Sequence, residues 1–243
     1  MDSKLILISG PSGVGKGPMT DTLFRYAETH KISITKHILY TNRAKRKQEE
    51  DGKTYHFADT ARLTELQSLN PAGFKTFKVH GQTQGLCMET LKKELQNNTL
   101  VLLELYYEQA PVITSFCEEY GVSVKSVFIK PLSDEDYRLI GCRDTIEREL
   151  VTRAVMQTKL INRATETSDK VLKRAFSAFE EIHNHKGYDY DLANPYGEDN
   201  RALWDALKNS VKEPDGLKKA MEDNTLQGIA ETFNLFISKI LGD

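Results

Sequence analysis

Four uninterrupted apolar residues, Leu5 to Ile8, begin the regular pattern of the chain, and they lack the alternation of a half-exposed strand. They predict a strand buried on both faces of a parallel sheet. Leu100 to Tyr106 reads as a second buried strand that reaches an acid, Glu104, and Val122 to Ile129 as a third. Between strands the period lengthens. Met19 to Ala27 carries apolar residues at helical spacing, turning Leu23, Phe24 and Ala27 inward, and Met88 to Leu95 repeats the pattern. The stretch from Asp134 to Gln157 reads as helix with Leu139, Ile146, Leu150 and Val151 as packing positions, and a helix continues through Phe176, Phe179 and Ile182, whose aromatics read as core. Leu203 to Leu207 predicts another helix. After a turn at Glu213 to Gly216, Leu217 to Leu241 reads as one or two amphipathic helices carrying Ile229, Phe233, Leu235, Phe236 and Ile240. Such a tail packs on the core or on another subunit, so a homo-oligomer is one expectation.

Composition narrows the class. The 243 residues are 39% hydrophobic and 28% charged, which fits a soluble globular protein with a substantial core. A formal charge of −2 leaves no excess of cations to neutralise a phosphate backbone, so general nucleic-acid binding is not expected. No run of about 18 apolar residues and no charged-then-apolar leader is present, which predicts neither a membrane span nor a secretory signal. Cys87, Cys117 and Cys142 are odd in number and widely spaced, as reduced cytoplasmic thiols would be. No residue is assigned as a metal ligand; His183 and His185, two apart, do not share a helix face.

The chemistry begins where the first strand ends. Gly10, Gly13 and Gly15 permit a tight turn that exposes backbone N–H groups, and the following helix N-terminus adds its field, which together make an anion cradle. Lys16 brings a point charge suited to terminal phosphates, and Gly10, Ser12, Gly13, Val14, Gly15, Lys16 and Gly17 form the candidate donor-binding loop. Gly17 stands where a phosphate loop usually has a Ser or Thr hydroxyl for magnesium, and Pro18 suits a first helical turn.

A basic stretch follows, with Thr41, Arg43 and Arg46 in a Thr-x-Arg-x-x-Arg pattern and then Gly52, Lys53, Tyr55 and Phe57 as Gly-Lys-x-Tyr-x-Phe. Two guanidinium forks and a phenol can hold a dianionic phosphate from several sides without losing charge at neutral pH. These motifs resemble the guanylate kinase family, in which the second forms a hairpin of the domain that holds the nucleoside monophosphate. By that resemblance Arg43, Arg46 and Tyr55 bind the acceptor phosphate. Phe74 to Gly85 is similar to the family's base-reading strand and turn, but Lys75 replaces the glutamate that accepts from guanine and Gln84 replaces a tyrosine. Glu104 takes the first acidic position of the family's Asp-hydrophobic-Asp strand end, and Tyr106 the second. Glu104 is an acceptor-site candidate that could hold a magnesium-bound water or pair with a neighbouring cation.

Arg163, Thr165, Glu166 and Arg174 resemble the family lid, Gly-Arg-Gly-Thr-Glu with a second arginine, and both arginines keep their separation. Lys16, Arg163 and Arg174 are therefore the candidate catalytic residues. Tyr188 to Asn194 is similar to the last family strand, which places Asn194 near the donor base. The resemblance implies a three-layer α/β phosphate-loop NTPase fold over residues 1–208, with a monophosphate-binding insertion at 36–86, a lid at 159–173 and a helical extension at 209–243. It implies ATP and Mg2+ as cofactors and nucleotides as substrates in the cytoplasm, most simply GMP plus ATP giving GDP plus ADP. Two alternatives stand beside it: a kinase of the same fold acting on another nucleotide or phosphorylated metabolite, and a non-catalytic interaction module.

Overall fold

A computed structural model describes residues 4–46, 49–98, 100–162 and 167–242. In chain order the elements begin with β1 (Lys4–Ser9), α1 (Lys16–Thr29), β2 (Ile34–Lys36), β3 (Tyr40–Thr41), β4 (His56–Phe57) and α2 (Thr60–Leu69). They continue with β5 (Phe74–Val79), β6 (Gln82–Cys87), α3 (Met88–Asn97), β7 (Leu100–Glu104), α4 (Ala110–Glu119), β8 (Ser123–Lys130) and α5 (Asp134–Ile140). The last are α6 (Thr145–Asn162), α7 (Ser168–Asn184), β9 (Tyr190–Ala193), α8 (Arg201–Ser210), α9 (Gly216–Glu222) and α10 (Gln227–Leu241). The fold is α/β, with a five-stranded sheet ordered β2-β7-β1-β8-β9 and a second sheet ordered β4-β3-β6-β5. The chain divides into two compact units, residues 1–6 with 34–124 and residues 7–33 with 125–243, so each half of β1 belongs to a different unit.

In the first unit β2 runs parallel to β7, with Ile34 opposite Leu100 and Lys36 opposite Leu102. Leu5, Ile6, Val101, Leu102 and Leu103 are fully buried, as the absence of alternation requires. β5 and β6 form an antiparallel hairpin whose turn, His80 and Gly81, has positive φ at both residues. β3 pairs antiparallel with β6 but parallel with β4. The Gly52 to Phe57 segment is therefore not the hairpin expected from the motif. The chain leaves β3 through the basic stretch and returns in the same direction.

In the second unit β8 and β9 pair in parallel, with Val127 opposite Tyr190 and Lys130 opposite Ala193. A capping box between Ser133 and Asp136 starts α5, and Gly141 in the left-handed region ends it. α6 and α7 pack through Met156, Leu160, Val171, Ala175 and Ala178. Four packing expectations are corrected here. Leu139 on α5 is 77% exposed, since the residue that helix buries is Tyr137, and Ile146 and Leu150 are 67% and 60% exposed because the α6 residues turned inward are Thr152, Met156, Lys159 and Leu160. Phe176 is half exposed, on the outside of α7 beneath the Arg153 guanidinium at 3.9 Å, rather than in the core. Val151 is half-buried. On α10 the buried face carries Ile229, Phe233, Phe236 and Ile240, while Leu235 lies on the outer side. Near its start Gly228 lies against Tyr196, whose phenolic oxygen would be 2.0 Å from an added Cβ. Among the described residues no helix is long and apolar enough to cross a membrane. Cys87, Cys117 and Cys142 are free thiols, and burial pushes the Cys117 thiol up to about 11.

Candidate active site

The phosphate loop lies wholly in the second unit. Gly10 has φ +141°, and a Cβ there would sit 2.2 Å from the Ile129 carbonyl oxygen on β8, so only glycine fits. Lys16, the first residue of α1, folds its ammonium back onto the loop and donates to the carbonyls of Gly10 at 2.5 Å and Pro11 at 2.8 Å. Arg174 on α7 donates to the Ser12 hydroxyl at 2.5 Å, which brings a guanidinium onto the loop from 162 residues away. Asn194, fully buried after β9, donates to the Val14 carbonyl at 2.9 Å and thus supports the loop from beneath. Arg163 lies outside the described residues. Space does not force glycine at position 17, since a Cβ there would meet nothing within 4 Å. Thr20, one turn on, donates to the Gly17 carbonyl at 2.9 Å.

Lys159 was not singled out by the sequence. Its side chain is only 8% exposed; the ammonium donates to the Pro195 carbonyl at 2.5 Å and lies 3.8 Å from the Asp199 carboxylate. Desolvation draws its pKa below the ordinary lysine value, while Asp199 pulls it back up.

The acceptor candidates lie in the first unit. Arg43 forks onto Glu49, with one guanidinium nitrogen 2.6 Å from Oε2 and the other donating to Oε1. The same carboxylate accepts from the Arg46 backbone N–H at 2.8 Å, and the Arg46 guanidinium stands 3.9 Å away. Arg43 also lies over the rings of Tyr55 and Phe57, 4.9 Å and 5.5 Å from their centroids. Desolvation opposes both charges, yet the mutual hydrogen bonds raise the Arg43 pKa and hold the Glu49 carboxyl below its usual range. The Tyr55 phenol is pushed up by desolvation and then by Glu104. Glu104 itself pairs with Lys36 at 2.7 Å, which is the neighbouring-cation role. In sequence Glu49 is hidden by the cations around it. The signal was present, an acid three residues after Arg46.

Strand register places Lys75, Phe77 and Gln84 on one face of the smaller sheet, with Thr41 and Phe57 beside them. Lys75 is exposed and donates to the Pro71 carbonyl at 2.8 Å. This face thus carries the Lys75 ammonium and the Gln84 amide side by side. No group of three or more His, Cys, Asp or Glu is arranged to hold a metal ion among the described residues.

A family model described as guanylate kinase matches residues 2–154, more than half of the chain. The chain belongs to the guanylate kinase family. Among curated relatives it is 29% identical over 195 residues to the guanylate kinase of Methylobacillus flagellatus, covering 80% of this chain and 82% of that protein. It is 30% identical over 190 residues to the guanylate kinase of Caldanaerobacter subterraneus subsp. tengcongensis, covering 78% and 79%. Its fold is similar to the crystal structure of guanylate kinase from Anaplasma phagocytophilum, with TM-score 0.51, 21% identity and coverage of 99% of this chain and 96% of that one. Membership thus rests on the sequence comparisons, and the solved structure shows a similar fold.

Proposed function

We propose that the protein transfers the terminal phosphoryl group of ATP to GMP, giving ADP and GDP. The observation that supports this reading is Arg174 on the Ser12 hydroxyl, a second cation beside Lys16 at the phosphate loop. An oxygen of the acceptor phosphate attacks the terminal phosphorus, and the bond from that phosphorus to the bridging oxygen breaks to release ADP. The attacking oxygen is already anionic, so no protein nucleophile or general base is required.

Lys16 and the loop amides hold the donor phosphates. Arg163 and Arg174 oppose charge on the oxygens in flight, and Arg43, Arg46 and Tyr55 hold the acceptor phosphate. We assign residues 36–86 to acceptor binding, 159–173 to the lid and 209–243 to a helical extension, and we place Asn194 beside the donor nucleotide. The glycine cradle and Lys16 suit the phosphates of ATP. Position 17 offers no hydroxyl and Glu104 pairs with Lys36; Mg2+ bound with ATP beside Lys16 and the loop would neutralise charge on the donor phosphates. The three free thiols support a cytoplasmic setting.

The named relatives favour GMP over another acceptor and an enzyme over an interaction module. An ADP-release assay over a panel of monophosphates tests the reading, with strong preference for GMP expected. Absence of ADP release with every monophosphate, together with no heat on titrating magnesium-ATP, would overturn it.

A further inference from the structure

Two parts of the second unit meet at residues 194–199. The phosphate loop is held there by Asn194 on the Val14 carbonyl at 2.9 Å and by the Glu198 N–H on the Gly13 carbonyl at 3.2 Å. The end of α6 arrives through Lys159, on the Pro195 carbonyl at 2.5 Å and 3.8 Å from Asp199. Gly197 is the point where they converge. Its φ of −66° is open to any residue, yet a Cβ there would fall 2.6 Å from the Gly13 carbonyl, 2.6 Å from the Asp199 carboxylate and 3.1 Å from Cδ of Lys159. Glycine is required by space, because the lysine stem and the loop both press into the position a side chain would take. Beside Lys159, Leu160 covers the loop itself, with its Cδ2 at 3.0 Å from where a Cβ of Gly13 would lie.

A lysine is an uneconomical way to fill such a notch, since an ammonium only donates and loses water on burial. An apolar residue would fill the space at lower cost, but it would not bond to a strap carbonyl. We propose that Lys159 is a positioning residue, fastening α6, and α7 packed on it, to the phosphate loop through residues 194–199 and so fixing where Arg174 stands during transfer. This rests on the reading of the loop as the ATP site. Lys159 touches no reacting atom; it acts through Arg174 on α7, the helix packed against α6.

The test is Lys159→Met, alone and combined with Arg174→Ala, assayed with ATP and GMP. Misplacing a charge-stabilising group by about an ångström lowers kcat about 10- to 100-fold, while KM for GMP stays within about twofold. Arg174→Ala then costs less in the Lys159→Met background than in the wild type, because the guanidinium it removes is already misplaced. An unchanged kcat, or two substitutions whose effects simply multiply, would overturn the proposal. Where circular dichroism finds Lys159→Met unfolded, Asp199→Asn removes the counter-charge from the same joint, and the same kcat-only loss and non-additivity are expected. A wild-type protein that releases no ADP would sink the kinase reading itself, whereas an active wild type with an equally active Lys159→Met removes only the role of the lysine.

Discussion

The Arg43 guanidinium grips both oxygens of the Glu49 carboxylate, and each side chain is about nine-tenths covered, at 11% and 12% exposure. The same carboxylate takes the Arg46 backbone N–H, so one acid sets both candidate acceptor arginines. Glu49→Gln keeps the shape but loses a charge-assisted fork. We expect KM for GMP to rise about tenfold, with KM for ATP unchanged, in steady-state kinetics. Equal rises for both substrates would contradict the placement.

Acid should weaken the same joint. The Glu49 carboxyl titrates below its usual range when folded, so the unfolded chain binds a proton that the folded one refuses. That stabilisation is complete above the ordinary carboxyl value of about 4.3 and is lost as pH falls through the lower folded value. Urea midpoints for wild type and Glu49→Gln should differ by a constant amount from about pH 7 to about pH 5 and converge below about pH 4.

Lys16→Ala and Arg43→Ala should separate the two nucleotides. The first removes the loop's point charge and is expected to abolish turnover and weaken ATP in calorimetry. The second is expected to raise KM for GMP at least tenfold, by about 1.4 kcal/mol or more, and to leave ATP binding intact. Loss of both ligands in either variant would show that the roles are misassigned.

Gly10→Ala is the backbone test. With φ +141° and a carbonyl 2.2 Å from the new methyl, β8 or the loop must move. Strain of this kind costs about 1–3 kcal/mol, and a lower melting temperature together with weaker ATP binding is expected. A variant that melts and binds as wild type does would show that the loop yields freely there.

Lys75→Glu returns an acceptor to the face that Gln84 and Phe77 share. Its ammonium donates to the Pro71 carbonyl on the exposed side, so little stability is at stake. The ratio of kcat/KM for GMP over AMP is expected to rise about tenfold, since a carboxylate accepts from guanine N–H groups and a lysine cannot. A falling ratio would mean that the lysine itself reads the base.

Continuous apolar runs made β1, β7 and β8 legible from sequence, because a strand buried on both faces has no other way to read. The phosphate loop was equally legible, since glycine at fixed spacing before lysine reports a backbone demand that propensity does not blur. α6 was legible as a helix but not in its facing. Ile146 and Leu150 sit at helical spacing, yet the inward stripe includes Thr152 and Lys159, whose burial depends on partners far along the chain. Glu49 and Lys159 share that difficulty: each is an ordinary charged residue until tertiary structure supplies its counterpart. The parallel pairing of β3 and β4, where a hairpin was expected, likewise depends on the path of the basic stretch and not on its composition.

Gly228 beneath the Tyr196 phenol has a consequence for the register of the C-terminal helix. One position of α10 has no side chain, and it alone can face that ring; turning the helix by a single residue would drive Gln227 or Ile229 into it. The terminal helix is therefore keyed to its seat. Additional residues in the turn after Glu222 can be absorbed there, whereas one placed between Gly228 and Phe233 would set the notch and the apolar face against each other.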